Sequence, residues 1–224
     1  MRIAFFGGSF DPPHRGHLAI ARAAIQRLAL DIVWMAPAGV QPFKLEGAST
    51  SYEDRLAMVE LAVAGDFHVI ASDVDAPRTD GMPNYTFDII ASIRATLERS
   101  DTLFFLLGAD AFLTLKQWHR AAELLFLSDF IVAARPGFSI EQVAASLPEG
   151  ISAVQLLHES ASSDIAAWAL RNSTGNHSTL YVIPDLREDI SATEIRAALS
   201  GEHSAKGVLS PAVLRYIEQR RLYR

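Results

Sequence analysis

Residues 7–17 read GGSFDPPHRGH and follow directly on the apolar run Ile3–Phe6. Two prolines exclude a helix interior and a strand interior alike, because each lacks an N–H and fixes φ. The stretch is a loop. Behind it comes HLAIARAAIQRLAL, in which Leu18, Ala21, Ala24, Ile25 and Leu28 fall on one stripe at helical spacing. An apolar strand, a glycine-bearing loop and a helix therefore open the chain, and the same alternation continues beyond them.

Further strands are expected at Asp31–Met35, His68–Ser72, Thr102–Leu107, Phe130–Ala134 and Leu180–Ile183. All are short and apolar on both faces, as strands buried between two helix layers are. Helices are expected in SYEDRLAMVELAVA, with Ser51 as N-cap and Asp54 three residues on, and in YTFDIIASIRATLER, with Asn84 as cap. A third falls in SPAVLRYIEQRR, where Ser210 caps and Pro211 takes the first helical position. Strand–helix alternation implies an α/β fold: a Rossmann-like, doubly wound parallel sheet with helices on both faces. Its ligand crevice lies beyond the carboxyl ends of the strands at the switch point, which the first strand borders. The 224 residues suit one domain, 1–224, with helices from about 191 to 224 packed on the sheet. Residues from about 146 to 178 read as an insertion between the last two strands, with RNSTGNHS a loop by composition.

A net charge of −6 argues against a nucleic-acid or anionic-membrane partner, while leaving room for a small phosphate ligand. With no cysteine, disulfides and thiolate metal sites are excluded. That composition fits a reducing cytosol, so a cytoplasmic protein is expected. The N-terminal apolar stretch is too short for a secretory signal, and no apolar run reaches the length of a membrane span. The sequence leaves a homo-oligomer open.

The first loop is suited to phosphate. Gly7 and Gly8 allow a sharp turn and close backbone approach. The helix beginning near Gly16 and His17 turns its free N–H groups and positive dipole end toward the loop. His14 and His17, three apart, face one site if helical geometry starts there. The string is neither the G-x-x-x-x-G-K-[ST] P-loop nor the dinucleotide G-x-G-x-x-G.

GGSFDPPHRGH resembles the signature of the HIGH-type nucleotidyltransferase superfamily, with His14–Arg15–Gly16–His17 as its HxGH element. PNYT at 83–86, GADAFLTLKQW at 108–118, ARPG at 134–137, ISATEIR at 190–196 and the tail VLSPAVLRYIEQRRLY extend the resemblance to the nicotinate-nucleotide adenylyltransferase family. These matches run in order from the first strand to the C-terminus. The resemblance implies that ATP and nicotinate mononucleotide are joined to deamido-NAD and pyrophosphate with Mg²⁺, held mainly by ATP oxygens. It implies an ATP site of Gly7, Gly8, Ser9, Phe10, His14, Gly16, His17, Asp110, Ile190, Ser191, Thr193 and Arg196. It implies an acceptor site of Lys44, Tyr85, Thr86, Trp118 and Arg135. His14, His17, Lys44 and Arg196 would be the catalytic set. Two departures stand out: VQPFK puts Phe43 where the family commonly has histidine, and 146–178 looks longer than the family pattern.

Each residue also has a simpler reading. Ser191 and Glu194 form a capping box by spacing. Trp118 is core or a stacking partner for the pyridine ring. Asp110 caps a helix or accepts from a ribose hydroxyl, and Arg135 is a phosphate contact or a strand-end charge. Asp73 and Asp75 resemble a metal pair, though solvated strand-end charges are the commoner explanation. His68, His119, His158, His177 and His203 receive no role. The alternatives to the main reading are another phosphorylated acceptor, nicotinamide mononucleotide or phosphopantetheine, and a nucleotide sensor without catalysis.

Overall fold

A computed structural model describes residues 1–40, 48–134, 140–156, 165–184, 191–201 and 207–224, with the side chains of 140 and 141 outside the description. Eight strands form one sheet: β1 Arg2–Gly8, β2 Ile32–Pro37, β3 Val69–Ala71, β4 Thr102–Gly108, β5 Asp129–Ala133, β6 Ser152–Leu156, β7 Ala166–Arg171 and β8 His177–Ile183. Their order is β3-β2-β1-β4-β5-β8-β7-β6. From β3 to β8 every pairing is parallel, so the six strands read from sequence all appear, in a doubly wound order that reverses between β1 and β4.

The described helices are α1 Arg15–Leu28, α2 Tyr52–Val63, α3 Thr86–Thr96, α4 Ala109–Phe112, α5 Ala121–Leu124, α6 Ile140–Ser146, α7 Ala192–Ser200 and α8 Pro211–Arg220. Strand alternation assigns them to faces. Ala4, Phe6, Phe104, Leu106 and Ile131 join Ala21, Ala24 and Leu28 of α1 and Val59 and Val63 of α2 in one core. Their neighbours Phe5, Phe105, Leu107, Phe130 and Val132 join Phe87, Ile90 and Ile93 of α3 and Leu124 of α5 in the other. Each fully buried phenylalanine is worth about 3–5 kcal/mol when truncated to alanine. A third cluster packs Met58 of α2 against Ile195 of α7 and Val213 and Ile217 of α8, so the last two helices lean on α2.

Two caps form as the sequence indicates. Ser51 Oγ accepts from Asp54 N at 3.1 Å, and Ser210 Oγ accepts from Val213 N at 3.2 Å with Pro211 behind it. Two do not. The N-cap of α3 is Tyr85, without a side-chain bond; Asn84 lies one residue before it and turns its Nδ2 to Asp75 and Ala76. Ser191 stands at the N-cap of α7 with no side-chain cap bond, so the expected box with Glu194 is not made.

Within 146–178 the chain builds sheet. β7 runs antiparallel to β8 and β6 antiparallel to β7, with a turn at Asn172–Asn176 inside the RNSTGNHS stretch. No described helix is long and apolar enough to cross a membrane.

Candidate active site

The first loop turns at Phe10, which has φ +46° and is fully buried. A bulky residue in that region is a backbone outlier that surrounding contacts must hold. Gly7 and Gly8 are still part of β1, without positive φ, so the sharp turn expected of them lies two residues later. Their glycine character answers to space instead. A Cβ on Gly7 would come within 3.0 Å of the Phe5 ring, and one on Gly8 within 3.0 Å of the Phe10 ring. Behind the loop, buried Arg55 donates from a terminal nitrogen to Ser9 O at 3.0 Å.

His14 occupies the N-cap of α1 and His17 its third position. His14 N donates to His17 Nδ1 at 3.2 Å. That acceptor role leaves the proton of neutral His17 on Nε2, a fixed donor. The two rings stack at 3.7 Å, and Phe10 meets His17 edge-on at 4.8 Å. Burial pulls His14 down to about 4, and burial, then the neighbouring His14, holds His17 well below the ordinary imidazole value. Both rings are neutral at pH 7 and thus supply N–H donors. His14 Nδ1 is buried with no hydrogen-bond partner, an orphan polar atom in the crevice wall.

That crevice has a volume of about 320 Å³ and opens at the switch point. Gly7, Gly8, Phe10, His14, Gly16 and His17 line one side; Gly108 and Asp110 at the end of β4, Ala133 and Ala134 after β5, and Ser191 and Ala192 at the start of α7 line the rest. Three sequence-distant motifs thereby meet. Asp110 sits in the first turn of α4, whose N-cap is Gly108, so the capping alternative does not apply. Ser9, Thr193 and Arg196 are not among the lining residues. Arg196 donates to Asp11 O at 2.8 Å and to Thr193 Oγ1 at 3.2 Å, which ties α7 to the histidine loop.

Asp11 is the residue that sequence reasoning missed. It is 3% exposed, and its carboxylate accepts from Ser49 N at 2.6 Å, Thr50 Oγ1 at 2.8 Å and Tyr223 Oη at 2.6 Å. No local pattern signals this, since the partners come from other segments of the chain.

A second surface gathers at the start of α3. Tyr85 lies against His119 at 4.3 Å, so that histidine, given no role above, has an aromatic partner. Trp118 is half-buried: its ring packs 6.1 Å from Phe105 and its Nε1 donates to Thr114 Oγ1 at 3.0 Å. Core packing and an accessible ring face are both compatible with that position. Thr86 begins the helix. Asn84 fixes the approach by donating to Asp75 Oδ1 at 2.8 Å. Asp75 is only 6% exposed, and burial pushes it up to about 6 against the bonds from Asn84 and Gly39. It is not a solvated strand-end charge: it is buried, and its Oδ1 takes both Asn84 Nδ2 and Gly39 N. Among the described residues no three His, Asp or Glu side chains cluster as a metal cage requires. Lys44, with Phe43, and Arg135 and Ile190 lie outside the described residues.

The sequence model of the family described as cytidylyltransferase-like matches residues 5–198. A "Probable nicotinate-nucleotide adenylyltransferase" of Chromobacterium violaceum is 37% identical over 223 residues, covering 100% of this chain and 99% of that protein. A protein of the same name from Laribacter hongkongensis is 39% identical over 231 residues, covering 99% of this chain and 94% of that one. Among solved structures, the Plasmodium falciparum nicotinic acid mononucleotide adenylyltransferase complexed with NaAD superposes with a TM-score of 0.71 at 19% identity, over 99% of this chain and 97% of that chain. The same Plasmodium enzyme complexed with APC gives 0.69 at 19% identity, over 99% and 96%.

Proposed function

The chain belongs to the cytidylyltransferase-like family, among its nicotinate-nucleotide adenylyltransferases, and on that premise we propose that it joins ATP to nicotinate mononucleotide, giving deamido-NAD and pyrophosphate. One observation carries the site assignment: two neutral, mutually fixed imidazoles stand at the start of α1, across a crevice from the uncapped start of α7. Both helix starts favour anions, and both imidazoles present donors.

The reaction asks for little covalent help. A 5′-phosphate oxygen of the mononucleotide, already ionised at pH 7, attacks the α-phosphorus of ATP. The bond from that phosphorus to the bridging oxygen breaks, and pyrophosphate leaves. The chain's task is alignment and stabilisation of the charge that builds on the leaving group. His17 Nε2–H and His14 donate to phosphate oxygens. Arg196 and Ser191 approach from α7, and Lys44 adds charge from the segment after β2. Asp110 accepts from a ribose hydroxyl.

The described lining holds one carboxylate, Asp110, among glycines, imidazoles and a hydroxyl. That donor set is too poor for an all-protein Mg²⁺ cage. It fits an ion carried on triphosphate oxygens and water. Bound there, Mg²⁺ would neutralise charge on the pyrophosphate. ATP as co-substrate fits a cytoplasmic setting.

The acceptor site follows from the second surface. The pyridine ring stacks on Trp118, and its carboxylate meets the start of α3, where Tyr85 contributes no side-chain cap and leaves the first N–H groups to a ligand. An amide would set its own NH₂ against those donors. The test is pyrophosphate release from Mg²⁺–ATP with nicotinate mononucleotide, nicotinamide mononucleotide or phosphopantetheine as acceptor. Release with the acid mononucleotide, and deamido-NAD as product, is expected; release only with phosphopantetheine, or none with any acceptor, overturns the proposal.

A further inference from the structure

The C-terminal segment grips the histidine loop and the start of α1. Arg15, the first residue of α1, donates from its backbone to Val208 O at 3.0 Å and from its guanidinium to Gly207 O at 2.9 Å. Farther on, Tyr223 reaches Asp11. Its hydroxyl gives 2.6 Å to Asp11 Oδ1, the oxygen that also takes Thr50 Oγ1 at 2.8 Å, while Oδ2 takes Ser49 N at 2.6 Å. The carbonyl of the same residue receives Arg196 at 2.8 Å. Asp11 therefore joins four segments: the histidine loop, residues 49–50, α7 and the chain end at Tyr223.

Tyr223 is placed for this by its surroundings. Its ring packs on the cluster that holds Met58 and Ile195, the residue next to Arg196. Its φ is +62°, a region costly to an aromatic residue, so its contacts hold it there. Burial, then the bond to Asp11, pushes the phenol well above its ordinary value, so the hydroxyl remains a donor throughout the physiological range.

We propose that Tyr223 is a positioning residue for adenylyl transfer: through Asp11 it sets where Arg196 stands relative to His14 and His17. The inference rests on the reading of Arg196 as a phosphate contact. A buried carboxylate that loses one of its donors shifts toward those it retains. Any shift of Asp11 carries its carbonyl, and Arg196 follows. Misplacement of about 1 Å in such a group can cost 10²-fold in rate. Loss of a single hydroxyl should fall below that ceiling.

Tyr223→Phe removes the hydroxyl and keeps the ring. It should lower kcat about tenfold at a temperature where circular dichroism shows the chain folded, with KM for the mononucleotide within twofold of the original. A residue that only stabilises the fold would shift the melting temperature and leave kcat alone. The decisive comparison is a double-mutant cycle with Arg196→Ala. If Tyr223 acts through Arg196, Tyr223→Phe changes kcat less than twofold in the Arg196→Ala background. A full tenfold effect in both backgrounds, or a kcat within twofold for Tyr223→Phe alone, overturns the proposal. Normal turnover in Arg196→Ala would instead strike at the reading of Arg196 itself. Thr50→Val removes the other donor to the same oxygen and should give the same pattern, so the test survives a Tyr223 variant that fails to fold.

Discussion

Replacing His17 by alanine separates its structural work from its chemical work. The ring accepts the backbone N–H of His14 at 3.2 Å, stacks on His14 at 3.7 Å and meets Phe10 edge-on at 4.8 Å. Truncation frees a helix-start N–H, worth about 1 kcal/mol, and removes packing against two rings, for a total of about 1–3 kcal/mol in stability. The catalytic cost is separate. If Nε2–H donates to the charge developing on the phosphates, its loss should lower kcat by about 10²–10³, or ~2.7–4 kcal/mol. His17→Asn makes the distinction: its Oδ1 can accept from His14 N and recover the stability, while its amide falls short of where Nε2 stands. Initial rates of pyrophosphate release at saturating Mg²⁺–ATP, beside thermal melts, measure both quantities. The expected result is near-original stability and 10²-fold lower turnover for His17→Asn, with both lowered in His17→Ala. Turnover within about fivefold of the original in either variant would refute the assignment of His17 as a phosphate donor.

Two further outcomes follow from the loop that holds the start of α3. Asp75 is raised in the folded state from 3.8 to about 6 by burial, so its contribution is intact below 3.8 and lost as pH rises through 6; Asp75→Asn should stabilise by about 1–3 kcal/mol at pH 8, a gain that shrinks toward zero near pH 4 in melts across that range. Gly39 has no room for a Cβ, which would lie 2.7 Å from Asp75 O and 2.9 Å from Pro77 N; Gly39→Ala should cost about 1–3 kcal/mol in stability and raise KM for the mononucleotide more than KM for ATP, measured in steady-state assays.

The parallel part of the sheet was legible because each of its strands is a short run of apolar residues between turn signals. β6 and β7 were not. β6 is an edge strand with Val154 62% exposed and Leu156 39% exposed, and AAWALR in β7 has too much alanine to read as strand. The crevice was legible because its residues come in contiguous strings, at 7–17, 108–110 and 191–192, which the strand order brings to one switch point. Asp11 was hidden because its partners Ser49, Thr50, Arg196 and Tyr223 stand 38, 39, 185 and 212 residues away in sequence. Asn84 was misread as a helix cap because α3 takes Tyr85 as its N-cap, one residue on, while Asn84 donates its Nδ2 to Asp75. Ser191 was misread in a similar way: the spacing to Glu194 suits a capping box, yet the start of α7 stays open.

The central claim is that this chain adenylylates nicotinate mononucleotide, with acid favoured over amide by the open start of α3. Both mononucleotides at equal concentration in one reaction with limiting Mg²⁺–ATP test it directly, since the ratio of the two dinucleotide products is the ratio of kcat/KM values. Two N–H contacts at about 1.5–3 kcal/mol each predict deamido-NAD over NAD by about a hundredfold or more. Comparable amounts of the two products, an excess of NAD, or no dinucleotide at all would contradict it.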